Sequence, residues 1–438
     1  MVEIWLPYGG TETFVSVNDE NLLGILRPKS EGVAVDPRVA VDSALQNPSG
    51  TEPLDKIVLR GTKPVVLLEL SSPGAQNIAA VSHVLERLCE KGIPSGDIRV
   101  LLASETGDSI RANKEVSNLW SDVFSKYSTV EHEPTSSECV EIGKTSKGVR
   151  VLVNKVFAEA DSRIVISDVS LHRFFGLKGG CSSILPGIAN VDTIKRNHAM
   201  MVNPNVQIGV QQGNPVYEGM QEATGFAKVD LGICLIANAK GELVKAYAGN
   251  LVESFHAASQ EYRDMCTTSF KEKSQIVIAS AGGSPYDRDL YHACTWLEGA
   301  LRVVKDDGAI ILVAECPGAY GNKTFYEWTK NFRELKEMQS EIRKKYALGS
   351  EVAYQLLKAR EKAKIYLVSV MPDYYASSVF KLKTARTTNG ALQSAQRVLG
   401  KDSKIMVLPY APMTFPVQEE KPHGYEPQHS YHATSELS

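Results

Sequence analysis

The sequence has no run approaching the roughly 18 uninterrupted apolar residues of a membrane span, so no membrane partner is expected. It has no large charge of either sign: the formal net charge is -3, too small for a general attraction to nucleic acid or anionic lipid. It lacks C-x-x-C, and its seven cysteines are scattered and odd in number, which argues against a disulfide framework or a zinc knuckle. Neither G-x-G-x-x-G nor a Walker loop occurs. The start, M-V-E-I-W-L-P-Y, has no basic region followed by an apolar block, so no signal peptide and a reduced, cytoplasmic location are expected. No repeat of fixed period is found.

What is present is an ordinary globular composition, 43% apolar and 23% charged over 438 residues, long enough for two or three domains. Met1–Leu6 and Glu12–Val17 flank a Pro-Tyr-Gly-Gly turn and read as a hairpin added to a sheet edge. From Lys63 the pattern changes. Apolar Pro64–Leu70, a helical face on Ile78, Val81, Leu85 and Leu88, and apolar Ile98–Ala103 read as a βαβ unit. Ligands of parallel sheets sit at the carboxyl ends of strands, which directs attention to Glu69-Leu70-Ser71-Ser72 and to Ser104-Glu105-Thr106-Gly107-Asp108. A second strand–helix series begins near Ser274, with a helical stretch from Phe325 to Lys362 broken near Gly349.

The expected fold class is α/β: two α/β domains with mainly parallel sheets. Residues 1–272 form the first domain and 273–402 the second. The last strand, about 403–412, is allowed to return to the first sheet. Residues 413–438, holding His423, His429 and His432 among Pro, Gln and Ser, read as a disordered tail.

The central stretch is Ser170–Ala199, where an apolar run ends in S-L-H-R-F-F-G-L-K-G-G-C-S-S-I-L-P-G-I-A-N. The Gly179-Gly180 step would let backbone N–H groups approach a ligand closely, and His172 and His198 bracket it. On pattern alone, a strand-to-helix connection with two ordinary histidines is the commoner explanation.

Six blocks in order resemble the lactate racemase family: L-P-Y at 6–8, N-K-V-F-A-E-A-D at 154–161, H-R-F-F-G-L-K-G-G-C-S-S-I-L-P-G-I-A at 172–189, R-N-H at 196–198, A-G-G-S-P-Y-D-R-D-L-Y-H-A at 281–293 and G-A-I-I-L-V-A-E at 308–315. The resemblance implies a racemase or epimerase of a small 2-hydroxy acid. It also implies a nickel-pincer nucleotide cofactor lying between two α/β domains, which accepts the carbon-bound hydrogen as hydride while a histidine takes the hydroxyl proton. On that basis His198 is the nickel ligand and His172 one catalytic histidine. Lys178, Gly179, Gly180, Cys181, Ser182 and Ser183 surround the cofactor, and Tyr291 borders the substrate.

The resemblance also carries departures. The family lysine that anchors the cofactor covalently corresponds to Ser182, and the arginine before it to Cys181. The second catalytic histidine corresponds to Gly107, and an Asp-His-Thr-Arg nucleotide loop to Leu70-Ser71-Ser72-Pro73, leaving Ser72 as a cofactor contact. The carboxylate-binding glutamine and lysine correspond to His292 and Thr295. Any pincer nucleotide would thus be held non-covalently, with Lys178 replacing lost charge and His292 serving as second acid/base. The alternatives are a non-catalytic nucleotide- or hydroxy-acid-binding protein, or an enzyme using Cys181 or Ser182 as nucleophile. For His292, a helix-face histidine bonded to backbone weighs equally. A homo-oligomer is allowed; nothing in the sequence fixes it.

Overall fold

The computed structural model describes residues 1–29, 32–59, 61–70, 75–106 and 114–419. Two six-stranded sheets dominate. In the first, the spatial order is Leu243–Gly249, Leu231–Ala237, Ser162–Asp168, Pro64–Glu69, Arg99–Leu102 and Ser128–Glu131. All neighbours there run parallel except the hairpin of Leu231–Ala237 with Leu243–Gly249. The central strands Pro64–Glu69 and Ser162–Asp168 are almost wholly buried, as expected for strands covered by helices on both faces.

The second sheet runs Lys383–Ala385, Ala363–Val368, Val304–Val313, Ser274–Ser280, Ile405–Leu408 and Leu22–Ile25, all parallel. Two expectations change here. Ile405–Leu408 does not return to the first sheet. Its four apolar residues are buried beside Ser274–Ser280 and accept Leu22–Ile25 on the other edge, because a continuous apolar run needs cover on both faces.

The opening hairpin Val2–Tyr8/Thr11–Val17 pairs only with itself. It lies on a face of the second sheet, where Ile4, Leu6, Val15 and Val17 join Ile276, Ile278, Ile311 and Val313 in one core. The first 25 residues therefore pack with the second half rather than with the rest of 1–272.

The third change is at the far end. Phe415–Gln418 forms a parallel pair with Thr267–Phe270. Phe415 is buried under the Arg302 guanidinium, 4.8 Å from the ring centroid, and Arg302 Nε donates to the Pro416 carbonyl at 3.0 Å. The start of the expected tail, residues 415–418, is therefore a strand packed on the protein. His423, His429 and His432 lie outside the described residues.

The long helical stretch is three helices, Lys323–Asn331, Leu335–Lys344 and Ser350–Lys362: the expected break falls where Gly349 adopts φ 102°, and a further one lies between Asn331 and Leu335.

Candidate active site

A cavity of about 590 Å³ lies between the halves. The first half contributes Glu105, Asp168, His172, Arg173, Lys178 and the hairpin loop from Ala237 to Glu242. The second contributes Tyr286, Arg288, His292, Thr295 and Trp296. This is the carboxyl end of the first sheet, where a parallel sheet places ligands.

His172 closes a small hairpin, Ser170–His172 against Gly176–Lys178. Gly176 turns the chain at φ 82°, where a Cβ would strike the Val210 carbonyl. The turn folds back so that Phe174 and Phe175 donate their backbone N–H groups to His172 Nδ1, at 3.4 and 3.2 Å, and the Phe175 ring stacks on the imidazole at 3.8 Å. An Nδ1 that accepts leaves the proton on Nε2 of the neutral ring. Burial, then the charges of Arg173 and Lys178, hold its pKa well below the ordinary value. At neutral pH His172 is a hydrogen-bond donor at Nε2.

The glycine step behaves differently from the sequence expectation. Gly179 N–H donates to Ser182 Oγ and Gly180 N–H to Ser167 Oγ, both at 2.8 Å, so neither is offered to a ligand. These glycines serve packing: a Cβ on Gly179 would meet the Asp168 carbonyl at 2.5 Å, and one on Gly180 would meet Phe255 at 2.4 Å. Cys181, Ser182 and Ser183 are fully buried and off the cavity wall. Ser182 and Ser183 both donate to Glu69 Oε2, at 2.6 and 2.9 Å. Burial pushes the Cys181 thiol up to about 11, so it is no thiolate nucleophile.

Of this loop, Lys178 reaches the cavity. Its Nζ stands 3.7 Å from Glu69 Oε1. Burial works to lower the ammonium's pKa, but Glu69, Asp168 and Glu105 outweigh it and hold it above the usual value. Burial pushes the Glu69 carboxyl the other way, above the usual carboxylate range, against the pull of Lys178.

His198 ends the helix Val191–His198 and is fully buried, with Phe174, Phe175 and Tyr346 edge-on at 5.3, 5.3 and 5.6 Å. Among the described residues neither ring nitrogen makes an aligned hydrogen bond. Glu105, itself on the cavity wall, faces Nε2 at 3.3 Å without the alignment of a hydrogen bond. Burial tends to raise the Glu105 pKa, yet the His198 ring outweighs it and the carboxyl lies below its ordinary value.

From the second half, His292 lies on the short helix Leu290–Cys294, whose cap Asp289 accepts both the His292 backbone N–H, at 2.9 Å, and Nδ1–H, at 2.7 Å. Nε2 is left as an acceptor, with Arg288 Nη2 at 2.5 Å. Thr295 is also on the wall, its hydroxyl donating to the His292 carbonyl at 2.6 Å. Tyr291 is not on the wall. Its hydroxyl donates to buried Glu351 at 2.9 Å, so the expected substrate contact is turned toward the helix Ser350–Lys362. Ser72 and Gly107 lie outside the described residues.

The cavity therefore joins His172, Lys178, His292 and Thr295, and excludes Gly179 through Ser183, Tyr291 and the expected nickel ligand His198, which is fully buried behind Glu105. Sequence reasoning assigned no role to Glu105, Asp168, Arg173 or Asp289. Glu105 and Glu69 did fall in the strand ends singled out as polar, and that was their one signal.

Two α/β halves with a polar cleft at the carboxyl ends of a parallel sheet, and one histidine from each half on its walls, define a class of two-domain α/β proteins with an inter-domain cavity. The Lactate racemase N-terminal domain family matches residues 8–209 and the Lactate racemase C-terminal domain family residues 270–411. The chain belongs to the lactate racemase family. It is 29% identical to the lactate racemase of Thermoanaerobacterium thermosaccharolyticum over 424 residues, covering 93% of this chain and 98% of that protein. It is 25% identical to that of Lactiplantibacillus plantarum, with the same coverage. The solved lactate racemase apoprotein of T. thermosaccharolyticum superposes with a TM-score of 0.85 at 25% identity, over 96% of this chain and all of that one. A Thermotoga maritima structure at 16% identity and TM-score 0.66, covering 88% of this chain and all of that one, shares the fold.

Proposed function

We propose that the protein is a racemase or epimerase of a 2-hydroxy acid. The carrying observation is that His172 and His292 come from opposite halves to the walls of one cavity, His172 with Nδ1 taking backbone N–H donors and His292 with Nδ1 against Asp289 and Nε2 against Arg288 Nη2. Once Arg288 Nη2 turns from His292 Nε2 to the substrate carboxylate, that nitrogen takes the substrate's hydroxyl proton, and Asp289 at Nδ1 stabilises the imidazolium that results. His172 donates to an oxygen of the substrate from the other wall. Arg288 and Lys178 supply positive charge for the carboxylate.

The family's nickel-pincer nucleotide fits these residues in part. A buried imidazole that makes no aligned hydrogen bond among the described residues, with the Glu105 carboxylate beside Nε2, is a reasonable nickel ligand, so His198 would hold the metal. Among the described residues no group of three His, Cys, Asp or Glu side chains could hold a metal alone, so the remaining donors would belong to the cofactor. Position 182 offers no amine, and its hydroxyl is committed to Glu69, so the group would be held without a covalent anchor. When bound, it supplies the acceptor for the carbon-bound hydrogen.

The test is co-expression with the cofactor-making enzymes in nickel medium, followed by metal analysis, mass spectrometry and chiral chromatography of D- and L-lactate and longer 2-hydroxy acids. Retained nickel with loss of optical purity is expected. Protein that takes up neither nickel nor nucleotide, and leaves every acid enantiopure, overturns the proposal.

The sealed Ser182–Glu69 contact favours a second reading, a binding protein without redox chemistry. Thermal stabilisation by hydroxy acids that survives His198→Ala would select it.

A further inference from the structure

The fully buried carboxylate of Glu351 gathers four donors. Arg173 Nη2 from the first half lies 3.2 Å from Oε1, and Tyr291 from the second lies 2.9 Å from the same oxygen. The Tyr346 hydroxyl and the Gly349 N–H reach Oε2 at 3.1 and 2.7 Å. Glu351 sits in the first turn of Ser350–Lys362, where the helix dipole favours an anion. Its one charged partner comes from across the cleft.

Both ends of this cluster lead to candidate site residues. Arg173 follows His172, lines the main cavity and lies over the Phe174 ring at 4.9 Å. Tyr346 lays its ring against His198. Phe174 packs against both histidines, at 4.6 and 5.3 Å. Opening the halves would strand a buried carboxylate without its cation, which a low-dielectric interior strongly disfavours.

We propose that Glu351 is a positioning residue: it ties Arg173 to Tyr346 so that the second half covers His198 and fixes the turn carrying His172. The inference concerns how the cleft is held closed, and its test uses no racemisation, so it stands or falls separately from the proposed activity.

The experiment is diethylpyrocarbonate labelling of the full-length protein as purified without added nickel, followed residue by residue by mass spectrometry. His132 is the internal control, buried in the first half against the Ala189 carbonyl. Glu351→Gln, nearly isosteric but uncharged, is expected to raise His198 labelling by about fivefold or more while His132 keeps its wild-type rate. Arg173→Lys, which keeps the charge, is expected to stay within about twofold of wild type at His198. Tyr346→Phe keeps the ring and removes one bond to Glu351. It is expected to raise His198 labelling by a smaller factor, and it carries the test if Glu351→Gln does not fold. His198 labelling unchanged in the folded variants, or rising in parallel with His132, overturns the proposal.

Discussion

Ser182 and Glu69 share a buried hydrogen bond of 2.6 Å in the loop that the family resemblance assigns to the cofactor anchor. Ser182 Oγ also accepts the Gly179 N–H, so this one hydroxyl satisfies a backbone donor and a carboxylate together. Ser182→Ala leaves both with one partner fewer in a dry site, at a cost of about 1–3 kcal/mol. Urea denaturation would measure it, and a change below about 0.5 kcal/mol would show the contact to be unimportant.

His172 gives a pH dependence of definite sign. Its folded pKa is depressed, so below an unfolded value of roughly 6.5 the unfolded chain binds the extra proton. Stability is full above that pH and declines as pH falls, by up to about 1.4 kcal/mol per pH unit from this residue. His132, also depressed chiefly by burial, acts in the same direction. Glu69, whose pKa burial raises, opposes them, since its stabilising share is lost as pH rises. His172→Asn should therefore flatten the fall between about pH 6.5 and 5.5 relative to wild type. An unchanged slope would refute the assignment.

His198→Ala removes an imidazole whose polar neighbour among the described residues is Glu105 at 3.3 Å, so folding should survive while nickel retention drops at least about tenfold. Metal analysis after gel filtration reads this directly.

Asp289 holds His292 in the tautomer whose Nε2 accepts, there facing Arg288 Nη2. Asp289→Asn should lower kcat for any racemisation by about 10²–10⁴-fold, because the ring loses both its orientation and the partner for its positive charge. A change of under about threefold would remove His292 from the proton transfer.

Phe415→Ala should destabilise the protein by about 3–5 kcal/mol, since it empties a buried aromatic site beneath Arg302. Thermal unfolding would show this; an exposed, disordered end would tolerate the change.

The strands Pro64–Glu69 and Arg99–Leu102 and the break at Gly349 were legible because continuous apolar runs and glycine punctuation are local signals. The pairing of Leu22–Ile25 with Ile405–Leu408 was not, since nothing local says which distant edge a short strand completes. In the site, His172, His198 and Lys178 could be picked out from one contiguous motif. Asp289 and Glu105 could not: their value comes from facing a histidine at a distance the backbone sets. The Gly179-Gly180 expectation failed because a glycine pair signals close backbone approach without saying to what. Here the neighbours are Phe255 and the Asp168 carbonyl.

The seam between Leu22–Ile25 and Ile405–Leu408 imposes an order on biosynthesis. At about 5–20 residues per second, the opening strand leaves the ribosome tens of seconds before its mate exists. Meanwhile the apolar face of the hairpin beside it has no sheet to cover. Nascent chains stalled before residue 405 should accordingly recruit chaperones through their first 25 residues, long after the sheet around Ser162–Asp168 has closed.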